Sequence, residues 1–275
     1  MDAPAGEERT PREAGARRIK LILEYDGTGY AGFQRQAKGE RTIQGTLEEA
    51  LASIAGHPVG VVAAGRTDCG VHARGQVVHF DLRGRIPSNR IAIAANSALP
   101  RDIAVRTAEE VGPGFHARFS ASQRTYVYLI WNDGQRSALW GRFATWERYA
   151  LDLDAMRDAA GLLTGIRDFA PFANAGGDPG STTVRDLRRL RVRQLGRGPL
   201  IAIEATANGF LRSMVRNIVA VLIAAGKHEV SGVDVAAIAG AARRDLNRCE
   251  TAKPEGLCLL RVDYGLPTER AGKNA

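Results

Sequence analysis

The chain has 275 residues, 44% hydrophobic and 25% charged, an ordinary globular composition with room for one large domain or two of usual size. No apolar run approaches a membrane span, the first twenty residues lack the apolar core of a signal peptide, and three irregularly spaced cysteines cannot make a disulfide framework. These exclusions predict a soluble cytoplasmic protein, and the net charge of +8 favours a polyanion partner, nucleic acid first.

In chain order, residues 1–16 are charged and rich in Ala, Gly and Pro, and read as a disordered lead-in. Residues 18–25 alternate as a strand that ends at the turn signal Asp26-Gly27. Thr42 caps an amphipathic helix through Ala55, whose apolar face carries Ile43, Leu47, Ala50, Leu51 and Ile54. Strands are expected at 59–64 and 76–81, on either side of a charged turn. Ser88 caps a second helix to Leu99, stopped by Pro100, and 103–109 is a further strand. The first half thus reads β–α–β–β–α–β.

Gly112-Pro113-Gly114 is the expected hinge, dividing an N-terminal domain, 17–113, from a C-terminal domain, 114–266, with a frayed tail at 267–275. Residues 124–131 form a strand rich in β-formers, and 153–163 a helix closed by Gly165. A hairpin is predicted from 182–195 and 200–206. A long helix spans 210–225 and ends at Gly226, a shorter one spans 233–243, and 257–264 is the last strand. Strands and helices interleave without regular alternation, which predicts an α+β fold of two α/β subdomains with mixed, mainly antiparallel sheets.

The turn at 65–70 holds a single carboxylate, Asp68, close in sequence to Arg66, His72 and Arg74. An acid among cations keeps its charge at neutral pH, as a carboxylate nucleophile or base needs. The same residues also suit a tight turn whose Asp bonds its own backbone. Cys69, His72 and His79 lack a paired motif and a fourth partner, which argues against a metal centre. Neither a G-x-G-x-x-G nor a G-x-x-x-x-G-K-[ST] fingerprint opens a helix, so no nucleotide cofactor is expected.

In the long helix, Arg216 sits beside a broad apolar face formed by Phe210, Met214, Val215, Ile218, Val219 and Leu222. A guanidinium there needs an anionic partner, for which Asp68 is one candidate, or else it snorkels to solvent. Tyr126 is either a core residue or, if its strand borders the Asp68 cleft, a ring that stacks on a base and a hydroxyl that carries a hydrogen bond. Only five of the 38 basic residues are lysine, and Arg189, Arg191 and Arg193 alternate along one predicted strand face.

A set of words in fixed order runs through residues 18–265. They are Glu24-Tyr-Asp-Gly-Thr, Gly32-Phe-Gln-Arg-Gln, Thr42-Ile-Gln-Gly-Thr-Leu-Glu, Gly65-Arg-Thr-Asp, Gly70-Val-His-Ala and Gln76-Val-Val-His-Phe. Phe115-His-Ala-Arg-Phe-Ser-Ala, Arg124-Thr-Tyr-Val-Tyr, Asn208-Gly-Phe, Met214-Val-Arg-Asn-Ile-Val and Ala252-Lys-Pro-Glu-Gly-Leu follow. On these words the chain resembles the bacterial tRNA pseudouridine synthase A (TruA) family. The resemblance implies two α/β domains whose sheets join across a central basic cleft, with helices on the outer faces. It also implies a homodimer spanned by tRNA, and isomerisation of uridine at positions 38, 39 and 40 of the anticodon stem-loop without metal or organic cofactor.

By motif match, the resemblance makes Asp68 the catalytic aspartate and Arg66 the basic residue that displaces the target base. Tyr126 becomes the uracil-facing tyrosine, Arg216 the partner of the aspartate and Leu257 an apolar wall of the base pocket. Cys69 stands where alanine is commoner in the family, and Phe33 where tryptophan is frequent. Residues 136–147 and 174–181 match poorly.

Overall fold

The structure, a computed structural model, describes residues 15–37, 39–176, 181–244 and 249–265. The predicted lead-in through residue 14 and the tail from 267 lie outside the described residues. The elements are β1 (Arg17–Tyr25), α1 (Ile43–Ala55), β2 (Val62–Ala63), β3 (His72–Leu82), α2 (Ser88–Ala98) and β4 (Ile103–Val111). After these come β5 (Ala121–Asn132), β6 (Thr145–Glu147), α3 (Leu153–Leu163), β7 (Gly165–Asp168), β8 (Val184–Gln194) and β9 (Leu200–Ala207). The last described elements are α4 (Met214–Gly226), α5 (Gly232–Ala239) and β10 (Leu257–Tyr264).

Among the described residues, ten strands form one mixed, mainly antiparallel sheet, ordered β4-β1-β3-β10-β5-β9-β8-β7, with β2 on β3 and β6 on β5. The last strand is the seam. β10 lies parallel to β3, pairing Cys258 with His72 and Leu259 with Ala73, and antiparallel to β5, pairing Leu259 with Tyr126 and Leu257 with Tyr128. The approach is close: a Cβ on Gly75 of β3 would lie 2.3 Å from the Leu260 carbonyl oxygen. Helix α2 packs on β4, while α3 packs on β8 and meets α4 and α5. The buried core runs unbroken from Ile19, Leu21 and Leu23 to Ile203, Ile218 and Leu222.

Local chemistry explains most element ends. Thr42 accepts the Gly45 amide at the start of α1, and Gly56 closes that helix at φ +72. Several boundaries differ from expectation. Ser88 is the first helical residue of α2 rather than its cap; Pro87 holds the cap position, where no side chain bonds the free amides. Proline's fixed φ serves a helix start, which explains why the helix begins there regardless. The strand expected at 59–64 shrinks to Val62–Ala63, because its run is fixed instead by the Val61 amide bonding Glu48.

The long helix starts at Met214, not Phe210, because Ser213 adopts the left-handed conformation at φ 57 and breaks the helical path. Helix α5 ends at Ala239, four residues short of expectation, before Gly240. Strands β6 and β7 are too short to carry a periodic signal.

Candidate active site

The turn between β2 and β3 is held from several sides. Gly65 O accepts the Gln76 side chain at 2.8 Å, and the Thr67 hydroxyl meets the Tyr25 hydroxyl at 2.8 Å. Thr67 O accepts the Phe33 amide at 3.0 Å. Gly32, at φ +101, brings its backbone so close that an added Cβ would lie 3.0 Å from Thr67 O, which glycine alone permits. On the other side Gly70, at φ +76, lies against Pro254. The words containing Phe33, Tyr25 and Pro254 thus converge on one hexapeptide and fix its backbone.

Asp68 projects from this turn with its side chain 30% exposed. Arg216, in the first turn of α4, donates from Nη1 to Asp68 Oδ2 at 3.1 Å and from Nε to the Ala252 carbonyl at 2.7 Å. The ion pair joins residues 148 apart in sequence, one from each half of the chain. The Ser213 hydroxyl donates to the same Oδ2 at 3.0 Å. A carboxylate held by a guanidinium and a hydroxyl is fixed in rotamer.

Tyr126 lies beside this group on β5, buried, with its ring edge-on to Phe210 at 5.2 Å and 87°. Burial pushes its phenol well above the ordinary range; the Arg124 cation opposes that shift and the Asp68 charge adds to it. At neutral pH the hydroxyl is therefore a hydrogen-bond donor. Arg66 is exposed on the turn itself, two residues before Asp68. Leu257 is buried at the head of β10 opposite Tyr128. Asp68, Arg216 and Tyr126 thus come together, with Arg66 exposed on the same turn, while Leu257 is buried one strand register away, opposite Tyr128.

Two residues escaped the reading of the sequence. Ser213 carries no motif signal, since serine near a helix start ordinarily suggests a cap. Arg124 opens the word Arg124-Thr-Tyr-Val-Tyr with no role read from it, yet its guanidinium donates to the carbonyls of Ala64 at 2.9 Å, Arg118 at 2.8 Å and Asn208 at 2.9 Å. It ties the strand before the Asp68 turn to the loop before α4. His72 and His79 are both buried, and their Nδ1 atoms accept the backbone amides of Gly27 and Ala117. Cys69 is exposed.

Arg66, Arg74 and Arg212 are exposed near the site, and Arg83, Arg85 and Arg90 are exposed beyond the far end of β3. On β8, Arg189 and Arg193 share Glu204 at 3.2 and 3.4 Å, and Arg191 is exposed between them. Arg35 pairs with Glu48 at 2.7 Å. Among the described residues, no helix is long and apolar enough to cross a membrane.

A family model described as tRNA pseudouridine synthase matches residues 21–120 and 159–265. A protein of Solidesulfovibrio magneticus named tRNA pseudouridine synthase A is 44% identical over 91% of this chain and 92% of its own length. Proteins of the same name from Geobacter sulfurreducens and Pseudomonas aeruginosa are 43% and 42% identical, over 90% and 91% of this chain and 100% and 87% of theirs.

Proposed function

Because the chain belongs to the tRNA pseudouridine synthase family, we propose that this tRNA isomerase converts uridine to pseudouridine at positions 38, 39 and 40 of the anticodon stem-loop, with Asp68 as its reacting carboxylate. The observation that carries the reading is the ion pair of Asp68 with Arg216, next to a buried tyrosine and rimmed by exposed arginine.

A uridine stacked in a stem hides its glycosidic bond, so the nucleotide must leave the helix first. Arg66 enters the space the base vacates, while the other exposed arginines hold phosphates. Tyr126 receives the uracil ring, with Leu257 as part of the apolar wall. Asp68 then acts in one of two ways. In the first, a carboxylate oxygen bonds C1′ as the N1–C1′ bond breaks and its electron pair leaves with uracil. The ring turns, C5 attacks C1′ and expels the carboxylate, the C5 proton departs and N1 gains one. In the second, Asp68 removes the C2′ proton as uracil leaves with the N1–C1′ electron pair and returns it to C2′ as C5 bonds C1′, after which the C5 proton departs and N1 gains one. Arg216 holds the carboxylate in either route, and all groups required are protein side chains. We place the enzyme in the cytoplasm with its substrate, as a homodimer in which domains 17–113 and 114–266 flank the cleft.

Carbodiimide marking of pseudouridine, read by primer-extension stops on unmodified tRNA transcripts, tests the positions. Stops at 38, 39 or 40 are expected wherever uridine occurs there. Stops confined to the D- or T-arm would contradict the assignment.

A further inference from the structure

We propose that Ser213 is a positioning residue for Asp68, which with Arg216 engages Oδ2 and leaves Oδ1 to face the nucleoside; the inference rests on the role proposed for Asp68. Three observations carry it. Ser213 occupies the cap position of α4, where serine normally accepts a backbone amide of the first turn, yet it makes no such bond. Its hydroxyl instead donates to Asp68 Oδ2 at 3.0 Å across 145 residues of sequence. And its backbone holds φ 57, ψ 8, a left-handed conformation strained for any residue but glycine. Glycine would take that conformation without strain. A serine retained there gives up both the cap and the relaxed backbone, and its hydroxyl goes to the carboxylate.

The geometry assigns the two carboxylate oxygens different work. Arg216 Nη1 and Ser213 Oγ both donate to Oδ2, at 3.1 and 3.0 Å. Among the described residues no hydrogen bond reaches Oδ1. Two donors on one oxygen stop the carboxylate from rotating about its terminal bond. A single donor leaves that rotation partly free, so some of the population presents the wrong oxygen or the wrong lone pair. The loss falls on the reacting complex and not on the capture of tRNA.

The strain supplies the test. Ser213→Gly removes the hydroxyl and relieves the backbone, while Ser213→Ala removes the hydroxyl and keeps the strain. Rates are measured by tritium release from tRNA labelled at uracil C5, with thermal unfolding in parallel and Asp68→Asn beside them. We expect both variants to lose roughly tenfold to a hundredfold in kcat, the range set by a hydrogen bond to a charged group. KM for tRNA should stay unchanged, and the Tm of Ser213→Gly should equal or exceed that of the wild type.

Three results would overturn the inference. They are a kcat within twofold of wild type in both variants, a rise in KM with kcat intact, or a kcat loss that tracks a fall in Tm of Ser213→Gly. Wild-type rates in the Ser213 variants beside an inert Asp68→Asn enzyme would remove Ser213 alone. An inert wild type, or a fully active Asp68→Asn, would remove the role of Asp68.

Discussion

His79 is buried on β3, where its Nδ1 accepts the Ala117 amide at 3.1 Å and its ring lies 4.9 Å from that of His116. Burial lowers its pKa to about 4; the Arg18 and His116 charges act in the same direction, and Asp81 opposes them. The unfolded imidazole takes up its proton near pH 6.5, whereas the folded one does so only near 4. Between those values the unfolded chain binds the extra proton, so this contribution is complete above pH 6.5 and is lost as the pH falls toward 4. At about 1.36 kcal/mol per pKa unit the shift corresponds to about 3 kcal/mol, which partial solvent screening reduces to about 2 kcal/mol. Urea unfolding at pH 7 and pH 5 should show the wild type weaker at pH 5. His79→Gln, which keeps an acceptor without the titration, should show a smaller difference, and an unchanged slope in that variant would contradict the assignment. Among single residues, contiguous words nominate Asp68, Arg66, Arg216, Tyr126 and Leu257, and the fold brings Asp68, Arg216 and Tyr126 together. Ser213 stands in no such word, and Arg124, though it opens one, bonds carbonyls, which every residue possesses and no pattern marks.

At the scale of elements, periodicity located the strongly amphipathic segments, and β10 and α3 lie where the alternation and the apolar face place them. Discrepancies gather where tertiary contacts override local preference. Residues 210–212 are apolar or good helix formers, yet the left-handed turn at Ser213 delays α4 to Met214. The run around Val61 satisfies an amide through Glu48 of α1 and not through a strand neighbour. The junction of β3 with β10 is the element contact on which the site most depends, since it sets the Asp68 turn against the second half of the chain. An alanine at Gly75 would press its Cβ to 2.3 Å of Leu260 O and 3.1 Å of Arg261 Cα, both backbone atoms with little room to yield. Gly75→Ala should therefore cost about 1–3 kcal/mol in urea unfolding. Gly60→Ala, where an added Cβ meets nothing within 4 Å, should stay within about 0.5 kcal/mol. Equal stability of the two variants would show that the strand approach does not constrain the fold.

For the molecule as a whole, the order of strands was the part least visible in the sequence. Local patterns identify β3, β5 and β10, but nothing in them states that the last strand is inserted between the other two. That topology makes one sheet of both halves and brings residue 216 to residue 68. The positive balance of the chain gave the class of partner before any geometry, because exposed arginines confer affinity for phosphate whatever the fold beneath them. The same balance would serve a protein that only binds RNA, so charge alone does not separate an enzyme from a binder. The carboxylate does. The most direct measurement is tritium release from tRNA labelled at uracil C5 by wild-type protein and by Asp68→Asn, with tRNA binding followed in the same samples. The wild type should release tritium, while the variant should bind with undiminished affinity and release none above background. Release by the variant at a rate comparable to wild type would contradict the role given to Asp68.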